Sequence, residues 1–545
     1  MRTFSVLFSF ILGINLNAQY IFNGFNLNTS GASYPANIAV FKSKMFFKAT
    51  NATDGSELWV SNGNMNGTSV LKDINLLPGQ SSSPAGFTTL SNNLIFSADD
   101  GVHGRELWLT DGTLAGTQLL KDINTGVNAS ANPKSFKVFN GKIYFQAIDS
   151  INGNELWVTD GTAGGTLMLK NINLIGSSDP QEFYEFGGRL YFAANDGING
   201  RELWVTDGTA TGTNMLKDIN AKPTTGSNPF SFENFGGKLY FSANDSTNGT
   251  EVWVTDGTTA GTTMFKDIDP GKNGAGLIHF ITLNGKLLFS ANDGTNGSEL
   301  WVSDGTAAGT QMLTDINKTT GASSYPENFY SFNNKVYFAA TDSLDNYELW
   351  ITDGTTVGTT LLKNIAVVGS SFPQYFMILK NKVYFLARTA AVDYQLFVSD
   401  GTNTGTRRLA PISNPKLNAL GLNFNGFCPY NNHLFFAADY QNEGVELWAL
   451  GDSLQSTGIN SFISKKTFSL NPNPCNKNFK VEINSSTIKN AMLRILDING
   501  RLIQTNQVGE DESSITIQTC GFAKGIYFVQ LRDENIIENQ KLIVE

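Results

Sequence analysis

"PQEFYEFGGRLYFAANDGINGRELWVTDGTATGTNMLKDIN", residues 180–220, contains four short runs rich in aromatic and aliphatic residues, at 183–186, 190–194, 202–206 and 213–219. Gly, Asn and Asp punctuate them, a pattern that predicts four antiparallel strands joined by tight turns. The Glu-Leu-Trp triplet of the third run recurs along the chain. It or a close variant starts at Glu57, Glu106, Glu155, Glu202, Glu251, Glu299, Glu348, Gln395 and Glu446, at steps of 47 to 51 residues. All eight tryptophans of the protein fall in this slot, and Phe397 fills the ninth. A period of about 48 residues carrying four strands fits a β-propeller blade, because leucine-rich and helical-hairpin repeats need shorter periods or helical spacing.

Nine copies of the third strand stand against eight of the fourth, since the pattern stops after "ELWALGD", residues 446–452. The stretch "YIFNGFNLNTSGASYP", residues 20–35, aligns with "SVLKDINLLPGQSSSP", residues 69–84, placing Ile21 on Val70, Asn26 on Asn75 and Pro35 on Pro84. Residues 20–25 are therefore expected to complete the last blade, tying the two ends of the ring and leaving no open sheet edge. The expectation is an all-β chain with nine blades; eight blades with a displaced unit is the alternative.

Inside one unit, setting Thr206 opposite Thr213 makes Trp204 face Met215 and Glu202 face Lys217. The same rule pairs Glu57 with Lys72, Glu106 with Lys121, Glu155 with Lys170, Glu251 with Lys266 and Glu348 with Lys363. Facing opposite charges stabilise a sheet, so these pairs are expected to be structural. In the eighth unit both charges vanish together, at Gln395 and Ala410, while the sixth keeps Glu299 opposite Thr314. A residue repeated around a ring is a poor candidate for a catalytic group. The "TDGT" and "NDGING" segments read as turns, with Asp and Asn bonding backbone amides and Gly taking positive φ. Calcium at Asp196 and Asn199, and at the matching Asp149, Asp245, Asp293 and Asp342, is the functional alternative, although these loops lack the carboxylate density of a calcium loop. No other cofactor is expected.

The net charge of −10 without a basic run argues against nucleic acid or an anionic membrane surface as a partner. His103, His279 and His433 belong to blades two, six and nine, and no HExxH, Gly-x-Ser-x-Gly or P-loop run occurs. Cys428 reads as a buried thiol, and Cys475 with Cys520 are candidates for a bridge outside the ring. Residues 1–18 read as a signal peptide: Arg2, an apolar stretch and Ala18 before the expected cleavage point. No later run is apolar enough for a membrane-spanning helix.

Residues 19–452 form the repeat region. Residues 453–467 are a polar linker, and residues 468–545 alternate in strand fashion without repeats, predicting a small β-sandwich with a hairpin at Asn499-Gly500. The landmarks "NPNP" (471–474), "MLRILDINGRLI" (492–503), "KGIYFVQL" (524–531) and the final "QKLIVE" (540–545) occur in order. They resemble the type A C-terminal sorting domain of type IX secretion cargo in Bacteroidota. The residues that match the family pattern are Pro472, Asn473, Pro474, Gly500, Arg501, Gly525, Ile526 and Tyr527. Asn471 stands where the family usually has an aromatic, and Cys475 follows the motif. The resemblance implies export by the signal peptide and then by the type IX machinery, which reads residues 468–545, and delivery to the medium or the outer cell surface. The repeats also look like the ELWxTDGTxxGT repeats of large bacterial surface proteins.

Near-identical blades and a thin catalytic inventory point to a monomeric, secreted or surface-displayed binding and adhesion protein whose propeller holds a polysaccharide or a protein. A propeller hydrolase or lyase acting on polysaccharide is the alternative. Positions that break the repeat are the place to look for a single site, and they concentrate in units seven and eight. Tyr347 and Tyr394 replace the Arg201 of unit four, Arg388 replaces Asn195, and Arg407 and Arg408 follow in the eighth fourth strand. Clustered Tyr and Arg suit sugar rings that carry carboxylates or sulfates, or an acidic protein surface.

Overall fold

The computed structural model describes residues 20–126, 128–276, 279–342, 346–389, 394–409, 426–440, 444–452, 468–483, 491–497, 501–509, 513–532 and 537–545. The signal-peptide reading, the linker at 453–467, Ala410 and the hairpin at Asn499-Gly500 lie outside these residues. The chain divides into two compact units, Met1–Leu454 and Gln455–Glu545.

The first unit is all-β. Among the described residues it consists of nine four-stranded antiparallel sheets. In the fourth the strands are Gln181–Phe186, Arg189–Asn195, Arg201–Thr206 and Asn214–Lys217, in that spatial order. The first strands of successive sheets lie against one another, which puts them innermost. Apolar clusters fill the gaps between sheets: Leu156, Val158 and Ile172 of the third pack with Leu190, Phe192 and Trp204 of the fourth. The ninth sheet packs on the first in the same way, through Phe25, Phe435 and Leu447 against Phe47 and Trp59.

Strand Tyr20–Phe25 pairs with Glu446–Asp452 and is the outer strand of the last sheet. Its register differs from the alignment of residues 20–35 with 69–84: Gly24, not Ile21, faces Trp448, as Val70 faces Trp59. A Cβ on Gly24 would stand 3.0 Å from the indole of Trp448, so the absence of a side chain lets the tryptophan lie flat over the strand.

The expected facing of tryptophan is present: Trp204 opposite Met215, Trp253 opposite Met264 and Trp108 opposite Leu119. The charge pairs are not formed. One residue bulges out of the fourth strand directly after the tryptophan pair, so Lys217 faces Leu203, Lys72 faces Leu58, Lys121 faces Leu107 and Lys170 faces Leu156. Lys266 likewise faces Val252 and Lys363 faces Leu349. A one-residue bulge moves every later side chain on the strand to the other face.

In the second unit, strands Phe468–Asn471, Asn478–Ile483 and Ser514–Gln518 form one sheet. Ala491–Asp497, Leu502–Val508, Gly525–Arg532 and Ile537–Val544 form the other. Phe468, Phe479 and Ile517 of the first sheet share one core with Leu493, Val529 and Leu542 of the second. Asn473 locks the entry to this unit: its amide donates to the Lys541 carbonyl at 2.6 Å and its Oδ1 accepts from the Ile543 N–H at 2.9 Å. The motif residues Gly525, Ile526 and Tyr527 pair with Val544, Ile543 and Leu542, and Arg501 meets Asp497 at 3.3 Å. Cys475 and Cys520 do not bridge. Both are free thiols, Cys475 buried beside the last strand and Cys520 exposed in a turn.

Candidate functional site

The repeated glutamates, lysines and turn aspartates are consumed by the fold. Each Glu of the triplet is buried, and its carboxylate captures the loop that leads to the next sheet. Glu57 accepts from the N–H of Ile74 at 2.8 Å and of Ser82 at 2.7 Å, and from the Ser82 hydroxyl at 2.6 Å. Glu299, which the pairing rule left opposite a threonine, makes the same contacts with Ile316 and Ser324, so it needs no lysine. Burial pushes the carboxyls of Glu106, Glu251, Glu299 and Glu446 up to about 7, against the pull of the N–H donors. The lysines reach outward instead: Lys72 Nζ donates to the Thr117 carbonyl and Lys217 Nζ to that of Thr262, each in the following sheet.

The turns are equally self-contained. Asp207 Oδ1 accepts from the N–H and the hydroxyl of Thr209, which holds its carboxyl below the usual carboxylate range. Gly212 sits so close to Asp207 that a Cβ would approach Oδ1 to 2.0 Å. Asp196 spends both oxygens on Ile198 and Asn199 of its own loop, and Asp245 and Asp293 repeat the arrangement. Asp149 does the same with Ile151 and Asn152.

Tyr347, Arg388 and Tyr394, which break the repeat, share one face. There the second strands end, the third strands begin, and the connecting loops arrive. The residue before the proline of each loop is left-handed, as at Ser83, Asn132, Asp179, Asn228, Tyr325 and Phe372, with φ between 45° and 48°. Its N–H donates to a carbonyl at the start of the preceding third strand: Asn228 to Arg201 at 2.9 Å, Phe372 to Tyr347 at 3.3 Å. This bond holds a backbone conformation that costs a non-glycine residue free energy, and it lays the loop side chain over the third-strand residue.

In the seventh and eighth sheets that geometry builds an aromatic cluster. Phe372 stacks on Tyr347, with ring centres 5.2 Å apart and planes at 22°. Arg388 pairs across the hairpin with Tyr394; its guanidinium carbon lies 4.5 Å from the centre of that ring and 5.4 Å from that of Phe372. Among the described residues, Arg388 Nε is buried without a hydrogen-bond partner. Burial raises the Tyr347 and Tyr394 hydroxyls above the ordinary phenol value, with Glu327 close enough to add to both. The cluster thus brings together Tyr347, Arg388 and Tyr394, and adds Phe372, which sequence comparison of the strands missed because it lies in the connecting loop.

Arg407 and Arg408 are elsewhere. They stand on the fourth strand opposite Val398 and Phe397. The Arg407 guanidinium lies 5.1 Å from the centre of the Tyr20 ring, whose hydroxyl also accepts from Lys382 Nζ at 3.0 Å, so they belong to the seam between the eighth and ninth sheets. Cys428 is buried, and burial pushes its thiol up to about 11. His103 is tied to Asp100 at 2.7 Å. Among the described residues no three acidic, cysteine or histidine side chains converge as metal ligands, and no helix is long and apolar enough to cross a membrane.

Residues 469–545 match the family model of the secretion system C-terminal sorting domain. This marks the protein as cargo of the type IX secretion system. It is secreted or attached to the cell surface. No curated protein matches the chain. Among solved structures, the chain is similar to puromycin hydrolase, with 12% identity, TM-score 0.36, and 76% of this chain and 59% of that one covered. It is also similar to the β-propeller domain of the Trilobed protease from Pyrococcus furiosus, with 13% identity, TM-score 0.32, and 61% and 99% covered. The chain spans about three-fifths of the length of the puromycin hydrolase.

Proposed function

We propose that the protein is a surface-displayed or released binding protein: a nine-bladed propeller followed by a β-sandwich sorting domain of type A, holding an acidic polysaccharide or an acidic protein surface on its loop face. The nine sheets, the pairing of Tyr20–Phe25 with the last repeat and the shared two-sheet core of the C-terminal unit support the architecture. The ligand reading is carried by the Tyr347–Phe372–Arg388–Tyr394 cluster, in which a guanidinium between aromatic rings keeps one buried N–H unsatisfied. An orphaned donor of this kind costs stability. A carboxylate or sulfate would accept a hydrogen bond from the guanidinium while the flanking rings stack on a sugar face.

The test is isothermal titration of the secreted protein with oligogalacturonate and with dextran sulfate. Changing Tyr347, Arg388 and Tyr394 together to Ala is expected to weaken binding at this site at least tenfold while circular dichroism still shows a folded β protein. Undiminished binding would remove the cluster from consideration.

A further inference from the structure

On the same face, over the first three sheets, lies a cavity of about 830 Å³. Lys48, Arg105 and Lys134 line it, together with Asn132, Phe87 and Phe136, and neither Asp nor Glu is among its lining residues. In a chain of net charge −10 that is a local reversal of sign. Such a cavity is of the size that takes a small ligand.

The cations are placed there at a cost. Lys48 sits between Ala36 and Leu58 in its sheet and is half-buried. Its slot in the other eight sheets holds Ser, Gln, Ala or Leu, so the fold does not require a lysine. Burial and the nearby guanidinium of Arg105 hold its ammonium below the usual lysine value, and it makes no ion pair among the described residues. Arg105 is fixed by donating to the Ser97 carbonyl and hydroxyl at 3.3 Å and to the Ser82 carbonyl at 3.2 Å. Asp99 faces it across the hairpin but does not line the cavity.

The fourth sheet supplies the contrast. Arg201 occupies the equivalent position, with Asp179 and Glu182 as its acidic neighbours. The residues matching those two acids beside Arg105 are Ser83 and Gly86. Gly86, at φ 72°, also leaves room for Phe136: a Cβ there would stand 2.5 Å from that ring. These two acids are gone from the loop side, leaving Asp99 across the hairpin where the fourth sheet has Asn195; the lysine is added, and an aromatic wall leans in. Two desolvated cations side by side are unfavourable unless an anion is to be bound.

We propose that this cavity is a second, separate site for acidic sugar units, seating a carboxylate or sulfate between Lys48 and Arg105 with the sugar ring against Phe136. It stands independently of the Tyr347 cluster, and its test is run with that cluster disabled. In an Arg388→Gln full-length background, oligogalacturonate and dextran sulfate are titrated alongside neutral cello-oligosaccharide and poly-aspartate. Binding of at least one acidic saccharide is expected, weakened tenfold or more by Lys48→Met, restored by Lys48→Arg and reduced by salt. The melting temperature of Lys48→Met is expected to stay level or rise, because a desolvated charge has been removed. The relative affinities of the two saccharides assign carboxylate or sulfate. Undiminished binding by Lys48→Met, equal affinity for the neutral oligomer, binding of poly-aspartate alone, or no binding at all would each overturn the proposal.

Discussion

At Glu202 the carboxylate oxygens collect the N–H groups of Ile219 and Ser227 at 2.9 and 2.7 Å and the hydroxyl of Ser227 at 2.5 Å. Lys217, drawn onto the facing position by the sequence pattern, spends its ammonium on Thr262 of the next sheet. The two side chains share no partner, which gives a double-mutant cycle a definite outcome. Glu202→Ala leaves buried N–H groups without acceptors and is expected to cost about 3 kcal/mol or more. Lys217→Met removes a single bond to a carbonyl and is expected to cost about 1 kcal/mol. In denaturant melts the double variant should show the two losses adding to within about 0.5 kcal/mol; a coupling well above that would restore the direct pair. The same bonds explain why Glu299 survives in a unit that has Thr314 in the lysine's place, a detail that looked like an exception only while the lysine was thought to be its partner.

Most strands were legible because each run is short, apolar and bounded by Gly or Asn: the expected 190–194 falls one residue short of Arg189–Asn195 at each end, and the expected 202–206 one residue short of Arg201–Thr206 at its start. The bulge after the tryptophan pair was not legible. Alternation along a strand looks the same on both sides of one unpaired residue, and only the backbone reveals which residue is skipped. The N-terminal strand shows both outcomes. Its membership in the last sheet follows from counting strands, whereas its register failed by three residues: the loop from Leu27 to Ser33, which Glu446 holds by the N–H groups of both residues, is two residues shorter than the loop from Ile74 to Ser82 held by Glu57, and the N-terminal strand lacks the one-residue bulge that Leu71 makes in the first sheet. For the candidate site, Tyr347, Arg388 and Tyr394 were visible as breaks in a repeat, but Phe372 and Lys48 were not, since neither stands where strand alignment of units seven and eight looks. Removing Tyr20–Phe25 is expected to lower the melting temperature by ten degrees or more, because it exposes an edge strand and the apolar seam around Phe22 and Phe25. A melting curve like that of the intact chain would show that the ring does not depend on this strand.

Across the whole ring the buried carboxylates act together. Glu106, Glu251, Glu299 and Glu446 all hold their protons to about pH 7 in the folded protein, chiefly through burial, with Asp122, Asp267 and Asp315 adding to the first three. Glu106 and Glu251 face Ala131 and Ala275 where Glu299 and Glu446 have a serine, so their carboxyls lack one hydroxyl donor. In the unfolded chain a glutamate ionises at about 4.3. The folded value is the raised one, so between about pH 4.5 and 7 the folded state binds protons that the unfolded state has released, and stability falls as pH rises through that window. His103 acts in the same direction, since the hydrogen bond to Asp100 raises its folded value and its contribution is likewise lost as pH rises. The turn aspartates such as Asp207 and Asp256 have depressed values, and their contribution is already complete at pH 5, so they do not alter the slope. The melting temperature of the secreted protein is therefore expected to drop by several degrees between pH 5 and pH 8 and to level off above that. Glu251→Gln should flatten part of this dependence, because an amide has no proton to lose. A profile that is flat from pH 5 to 8 would mean that the N–H donors at the four sites outweigh burial and that the ring carries its carboxylates ionised.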